Sequence, residues 1–129
     1  MISVWLECLF IINYIIMKLL TTIEQYQDLL VNQPDFIIYK HSSTCSISNK
    51  ACRAVWEIIN ELNLEQIYLL DVLATWDLKY EVADLIWVRH ESPQVLIFCG
   101  WKLVAHASHL TITTGWFRQH LLGWNDTRK

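Results

Sequence analysis

Strand-like runs alternate with helical segments along most of this chain, and that alternation constrains the fold more than any other feature. Four short runs rich in β-branched and aromatic residues predict buried strands, at 36–39, 67–72, 94–98 and 101–107. Four segments with helical spacing of apolar residues accompany them, at about 22–32, 45–62, 78–86 and 112–122. Strands separated by helices favour parallel pairing through right-handed crossovers, and the turn at Cys99-Gly100 adds an antiparallel hairpin. The predicted fold class is α/β, with a central mixed four-stranded sheet flanked by helices.

Helix starts carry their own signals in this sequence. Thr21 and Glu24 have the S/T-x-x-E spacing of a capping box and predict the start of the first helix. Asp77 is expected to cap the third helix. The order of elements resembles the thioredoxin-like fold, and a strand within residues 1–20 would supply the extra first strand of its full version.

The first sixteen residues are almost entirely apolar, with only Ser3, Glu7 and Asn13 outside the apolar set. A membrane helix needs about 20 mostly apolar residues, and the charge on Glu7 and on the following Lys18 disfavours that reading. A signal peptide would need a basic start and a small-residue cleavage site, and neither is present. Three readings stay open: an upstream extension or misassigned start, an additional structured strand or helix, and, as the least favoured of the three, contact with a membrane.

The predicted organisation has three parts. Residues 1–16 form an apolar N-terminal extension of open status, residues 17–124 a single thioredoxin-like domain, and residues 125–129 a frayed tail. The formal net charge is −3 and the pI is about 5.9, so the chain lacks the basic face that nucleic-acid binding requires. Four irregularly spaced cysteines are unlike a secreted disulfide framework and favour a cytoplasmic location.

Cys45 lies at the predicted junction between a buried strand and a long helix. A helix N-terminus presents unpaired N–H groups and partial positive charge, which favour a thiolate and lower the pKa of a cysteine. The local motif, Thr44-Cys45-Ser46-Ile47-Ser48, has Ser48 where a C-x-x-C motif would place its second cysteine. The predicted site is therefore monothiol, and Ser48 can donate a hydrogen bond toward the thiolate. The alternative is that Cys45 is a small apolar residue that happens to start a helix.

The other cysteines offer no obvious resolving partner. Cys52 lies seven residues after Cys45, or roughly 10 Å along a helix, whereas disulfide partners need Cα atoms within about 7 Å. Cys52 and Cys99 are expected to be structural, and the role of Cys8 depends on the N-terminal segment. A small external thiol is the expected resolving agent.

Ser92-Pro93-Gln94 precedes a predicted strand. A proline at a strand start commonly just ends a loop. In thioredoxin-like folds this position holds a cis-proline beside the catalytic cysteine, and the preceding backbone can pair with an extended substrate.

Three separated motifs resemble those of the monothiol bacilliredoxins of the YtxJ type, over about residues 17–113. They are Lys40-His41-Ser42-Ser43-Thr44-Cys45-Ser46-Ile47-Ser48, Val88-Arg89-His90-Glu91-Ser92-Pro93-Gln94 and His106-Ala107-Ser108-His109. One departure is Ser46, where that family usually has proline. Proline is preorganised for the first helical turn, so its replacement puts the reaction rate in question more than the reaction type.

The resemblance implies a thiol–disulfide oxidoreductase that removes bacillithiol from S-bacillithiolated proteins. Cys45 would be catalytic, with Thr44, Ser46 and Ser48 supporting the site, while Ser92, Pro93 (in the cis form) and Arg89 would bind the substrate. His41 or Arg89 could stabilise the thiolate or meet the malate carboxylates of bacillithiol, with ordinary surface or hydrogen-bonding roles as the alternative.

The expected partners are S-bacillithiolated proteins and bacillithiol, without nucleic acid or a membrane. Bacillithiol would be a co-substrate, with no permanently bound cofactor, and the histidines give no convincing metal-ligand set. Two other functions remain open: an iron–sulfur or thiol-binding module like the monothiol glutaredoxins, and a stress or interaction protein whose cysteine is merely capped. The first is weakened because Ser46-Ile47 replaces the Gly-Phe of the glutaredoxin C-G-F-S motif.

Overall fold

The computed structural model describes residues 17–42, 46–73, 77–122 and 124. The predictions for the N-terminal extension, for the tail, and for Thr44 and Cys45 lie outside these residues. Eight of the described elements follow the predicted order of helices and strands, and a short first strand and a 3₁₀ helix before the last helix are additional.

A five-stranded mixed sheet forms the centre of the domain. Its strands are β1 (Lys18–Leu19), β2 (Phe36–His41), β3 (Ile67–Asp71), β4 (Gln94–Cys99) and β5 (Lys102–Ser108). The spatial order is β1-β3-β2-β4-β5. β3 pairs in parallel with β1 and β2, whereas β4 is antiparallel to β2 and β5. The four-stranded sheet is confirmed together with the extra first strand, which is β1.

The described residues contain four α-helices beside the sheet, namely α1 (Ile23–Asn32), α2 (Ser46–Leu62), α3 (Leu78–Ile86) and α4 (Thr114–His120). All six residues of the central strand β2 are buried, and their alternate side chains enter two separate cores. Ile37 and Tyr39 pack with residues of α2 and α4, including Val55 and Phe117. The opposite core contains residues of α1, α3 and β2, including Tyr26, Val82, Phe36 and Ile38. Strand periodicity thus decides which side chains of β2 approach α2.

The caps of two helices differ from the sequence prediction. The capping box is formed by Thr22 and Gln25 rather than by Thr21 and Glu24. The backbone N–H of Leu20 still donates to Leu69, so the chain is sheet-bonded until just before this box. Asp77 occupies the N-cap of α3, but its side chain makes no capping hydrogen bond.

The last helix also begins later than predicted. A short 3₁₀ helix, His109–Thr111, follows β5, and Thr113 then caps α4 by accepting the backbone N–H of Trp116. Ile112 and Thr113, where this helix was expected to start, are therefore extended. Among the helices that the structure describes, none has the length and apolar character needed to cross a membrane.

Candidate functional site

The predicted site lies at the end of the sheet where β2 finishes and α2 begins. His41 is the last residue of β2 and Ser46 is the first residue of α2. Cys45 directly precedes Ser46 in the sequence. Because the flanking elements are described on both sides, the surroundings of the cysteine motif can be built from them.

Tyr39 connects the end of β2 to the first turn of α2. Its hydroxyl donates to the backbone carbonyl of Ser48 at 3.1 Å and lies 2.7 Å from Nδ1 of His41. The backbone N–H of Ser42 donates to Oγ of Ser48 at 3.3 Å. Tyr39, His41 and Ser48 are all fully buried. These bonds fix the start of α2 against the strand, and in them the Ser48 hydroxyl oxygen is an acceptor.

His41 faces this arrangement as a neutral imidazole. Burial lowers the pKa of His41 from 6.5 to about 4, although Asp71 partly opposes the shift. A neutral, fully buried ring does not present positive charge to a thiolate at neutral pH, and it does not reach a solvent-borne carboxylate. The structure therefore supports neither thiolate stabilisation nor carboxylate binding by His41. It supports the alternative, a hydrogen-bonding role beside Tyr39.

Lys40 points to the opposite side of β2 and is also fully buried. Its Nζ lies 3.2 Å from Nδ1 of His90, so the strand contacts the loop that leads to Ser92. Burial lowers the pKa of Lys40 to about 8, with Glu91 opposing. Burial, followed by the charges of Lys40 and Lys79, lowers the pKa of His90 to about 4. Sequence reasoning missed this buried lysine because the predicted strand ended at residue 39.

Ser92 and Pro93 lie at the same end of the sheet as the start of α2. Gln94, the first residue of β4, pairs with Lys40, which brings the Ser92–Pro93 peptide beside the end of β2. That peptide bond is cis, the isomer expected for this fold. Oγ of Ser92 is buried and has no hydrogen-bond partner among the described residues. The carbonyl of Pro93 accepts the backbone N–H of His109 at 3.0 Å.

Two surface grooves flank this end of the sheet. The first, of about 650 Å³, runs between α2 and the segment from His109 to Thr114, and its wall includes Lys50 and Arg53. The second, of about 670 Å³, lies at the end of α3 and contains Arg89 beside Trp87. Trp87 is 94% exposed. The same end of the sheet thus holds three of the predicted site residues, Ser48, Ser92 and Pro93. Arg89 lies in a separate groove, on the loop that precedes Ser92.

Comparison with known proteins identifies the family. A family model, the monothiol bacilliredoxin BrxC, matches residues 18–116. The chain belongs to the monothiol bacilliredoxin family. Together with the thioredoxin-like fold, membership supports a monothiol redox protein.

Solved structures agree on the fold of this bacilliredoxin. A protein described as a candidate oxidoreductase with a thioredoxin fold is 28% identical, with a TM-score of 0.75, covering 81% of this chain and 92% of that chain. Thioredoxin from Trypanosoma brucei brucei is 15% identical, with a TM-score of 0.67, covering 91% and 96%. Mitochondrial thioredoxin 3 from Saccharomyces cerevisiae is 11% identical, with a TM-score of 0.64, covering 92% and 96%. At these identities the two thioredoxins show the shared fold alone.

The remaining cysteines of this bacilliredoxin differ from each other. Cys52 packs into the core on α2 and is 1% exposed, so its predicted burial is confirmed. It is disulfide-bonded. Cys99, expected to be structural, is instead an exposed thiol at the end of β4. Because Cys52 takes part in a disulfide, it needs its own test in any exchange assay.

A metal site finds no support in the part of the bacilliredoxin that the structure describes. No group of three or more histidine, cysteine, aspartate or glutamate side chains is placed to hold an ion there. His106 extends from β5 and is exposed, whereas His109 begins the 3₁₀ helix with a positive φ of 55°. The predicted strand alternation of this motif therefore stops at Ser108.

Proposed function

We propose that this bacilliredoxin is a monothiol thiol–disulfide oxidoreductase that removes bacillithiol from S-bacillithiolated proteins, with Cys45 as the nucleophile. The observation that carries the proposal is the position of this family cysteine directly before the 17-residue helix α2. The first turn of α2 contains no acidic residue, so nothing there offsets the positive end of the helix dipole. Both features favour a thiolate at Cys45.

The proposed reaction consists of two disulfide exchanges. The Cys45 thiolate attacks the bacillithiol sulfur of the mixed disulfide, the bond to the client protein breaks, and the client cysteine leaves as a thiolate that takes up a proton. A second bacillithiol thiolate then attacks the bacillithiol sulfur held on Cys45. Cys45 is released as a thiolate and bacillithiol disulfide is the product, so one disulfide is exchanged for another and the second bacillithiol is the thiol that is oxidised.

The residues around the sulfur would support these exchanges in different ways. Thr44, Ser46 and Ser48 place hydroxyl groups near the cysteine in sequence, and Ser48 is already held by Tyr39 and Ser42. A hydroxyl that donates to the thiolate stabilises the charged form.

Substrate contacts would come from the neighbouring loop. We assign the backbone beside Ser92 and Pro93 to the extended client chain, because this peptide lies at the end of β2. Arg89 would contact the client from the second groove, next to the exposed ring of Trp87. The proposal needs no permanently bound cofactor, and it assigns the reaction to the cytoplasm, where low-molecular-weight thiols keep cysteines reduced.

The proposal is tested by the release of bacillithiol from a mixed disulfide with a model client protein, in the presence of reduced bacillithiol. Cys45→Ala is expected to abolish release. Cys99→Ala removes an exposed thiol of the same protein and is the matched control, with the wild-type rate expected. Cys52→Ala is expected to keep most of the activity, since the external thiol resolves the intermediate. Activity that survives without Cys45 would contradict the proposal.

A further inference from the structure

The groove beside α2 has two positively charged residues on one wall and a mixed surface on the other, where two apolar residues lie among His109, Thr113 and Thr114. Lys50 and Arg53 project from exposed positions of the helix. The opposite wall includes Leu110, which is 66% exposed, and Ile112, which belongs to the core. A ligand that fits both walls has a compact body and negatively charged groups at one end.

The groove borders both elements of the candidate site. Lys50 and Arg53 follow Ser46 by about 6 and 10 Å along the helix axis, at 1.5 Å per residue. On the other wall, the backbone N–H of His109 donates to the carbonyl of Pro93 at 3.0 Å. A small molecule attached at the start of α2 can therefore extend into the groove without leaving the protein surface.

The cations of this groove have no ion-pair partner among the described residues. The salt bridge between described residues joins Arg118 to Glu61, on the outer side of α2 and α4. Glu57 is the acidic residue of the groove and lies one turn beyond Arg53. Two cations against one carboxylate leave the groove with net positive charge.

The groove around Arg89 compares poorly as an anion site. Asp84 lies in the same groove, so its two formal charges cancel. Burial and the charges of Lys40 and Lys79 lower the pKa of His90 to about 4, so that ring adds no positive charge at neutral pH. The two grooves therefore differ in net charge, and the positively charged groove along α2 is the better match for a carboxylate ligand.

We propose that the groove along α2 binds the carboxylate-bearing end of the low-molecular-weight thiol during exchange, with Lys50 and Arg53 as its recognition residues. For bacillithiol this end is the malate group, whose carboxylates accept charge-assisted hydrogen bonds from the two side chains. This inference rests on the proposed function, and it assigns the small thiol and the client protein to opposite sides of the Ser92–Pro93 peptide.

The first test compares KM for three mixed disulfides of one model peptide, carrying bacillithiol, glutathione or cysteamine. The first two thiols bear carboxylates and cysteamine bears none. In Lys50→Gln/Arg53→Gln we expect KM for the two carboxylate-bearing disulfides to rise roughly tenfold, with KM for the cysteamine disulfide unchanged. Lys102→Gln changes an exposed lysine at the start of β5 and is the matched control.

Several results would overturn this assignment. An equal change of KM for all three disulfides would show that the substitutions act on the helix rather than on carboxylates. An unchanged KM for bacillithiol, or a larger effect of Arg89→Gln than of the double variant, would place recognition elsewhere. The Cys45→Ala variant tests the proposed function alone. The groove assignment is tested separately, by the preference of the Cys45-containing protein among the three thiols.

A second measurement does not require turnover. Reduced bacillithiol is titrated into the Cys45→Ser protein while backbone amide NMR signals are recorded. We expect shifts at Lys50, Arg53 and Leu110, and their loss in the protein that also carries Lys50→Gln and Arg53→Gln. No shifts, or shifts centred on Trp87 and Arg89, would contradict the groove assignment even if Cys45 were shown to transfer bacillithiol.

Discussion

The two faces of β2 handle buried polar groups differently at the end that carries the site. On the face toward α2, Tyr39 and His41 form a neutral hydrogen-bonded pair that supports the first turn of the helix. On the opposite face, Lys40 buries an amino group against His90. The comparison suggests that the α2 face provides a fixed support for the cysteine motif, whereas the Lys40 face connects the strand to the substrate loop at a cost in desolvation.

The largest expected effect comes from breaking the support on the α2 face. Tyr39→Phe removes the hydroxyl that joins Ser48 to His41 while keeping the packed ring. Because buried polar groups lose a partner, the free energy of unfolding is expected to fall by about 1–3 kcal/mol, as measured by urea denaturation. Tyr80→Phe is the control, since Tyr80 is about half exposed and should cost close to nothing. An equal loss of unfolding free energy in the two variants would contradict the role of the Tyr39 hydroxyl in supporting α2.

The two buried basic groups of β2, His41 and Lys40, should titrate in different pH ranges. Burial lowers the pKa of His41 from 6.5 to about 4 and that of Lys40 from 10.5 to about 8. For a base with a lowered pKa the unfolded chain binds more protons, so stability is present above the unfolded value and is lost as pH falls toward the folded value. The His41 contribution should decline from pH 6.5 to pH 4, and the Lys40 contribution from pH 10.5 to pH 8.

Urea midpoints at pH 7 and pH 5 check the lower range. We expect His41→Gln to show a smaller decrease between these values than wild type, because glutamine does not titrate. His106→Gln, an exposed substitution on β5, should keep the wild-type decrease. If the urea midpoint decreases equally in the two variants between pH 7 and pH 5, the assignment of His41 as a neutral buried residue is wrong.

A smaller effect is expected on the Lys40 face. Lys40→Met keeps the length of the side chain and removes its charge, and the avoided desolvation offsets the lost contact with His90. We expect the free energy of unfolding at pH 7 to stay within about 1 kcal/mol of wild type or to increase. A loss above about 2 kcal/mol would show that the buried lysine stabilises the fold as strongly as Tyr39 does.

The smallest effect concerns the start of α2. Ser46→Pro introduces the residue that the family usually carries at the first helical position, where proline is already suited to the backbone. Thermal denaturation is expected to show a gain of about 0.4–1 kcal/mol. A destabilised variant would mean that the Ser46 N–H makes a bond that the native helix start requires.

The sequence was most informative where local pattern and tertiary structure agree. The bounds of α3 are those predicted from residues 78–86, and the four main strands lie where β-rich runs occur. The capping box shifted by one residue because Thr21-Glu24 and Thr22-Gln25 have the same spacing, and the sheet bond of Leu20 decided between them. Local spacing alone does not contain that bond.

The polar support of the site was less predictable. Lys40 and His41 follow the end of the predicted strand at residue 39, yet parallel pairing with Leu70 and Asp71 extends β2 through both of them. Their burial depends on this long-range pairing and not on propensity. The groove of Lys50 and Arg53 was missed for a similar reason, since its second wall comes from the segment after β5, nearly sixty residues later in the chain.

The most direct test of the central claim is the mass of the Cys45 peptide after incubation with bacillithiol disulfide, then with reduced bacillithiol. The account predicts a single bacillithiol adduct on Cys45 that the second incubation removes. A parallel incubation with glutathione disulfide should give less adduct if bacillithiol is the preferred thiol. An unmodified Cys45, or an adduct confined to Cys99, would contradict the assignment of Cys45 as the residue that carries bacillithiol.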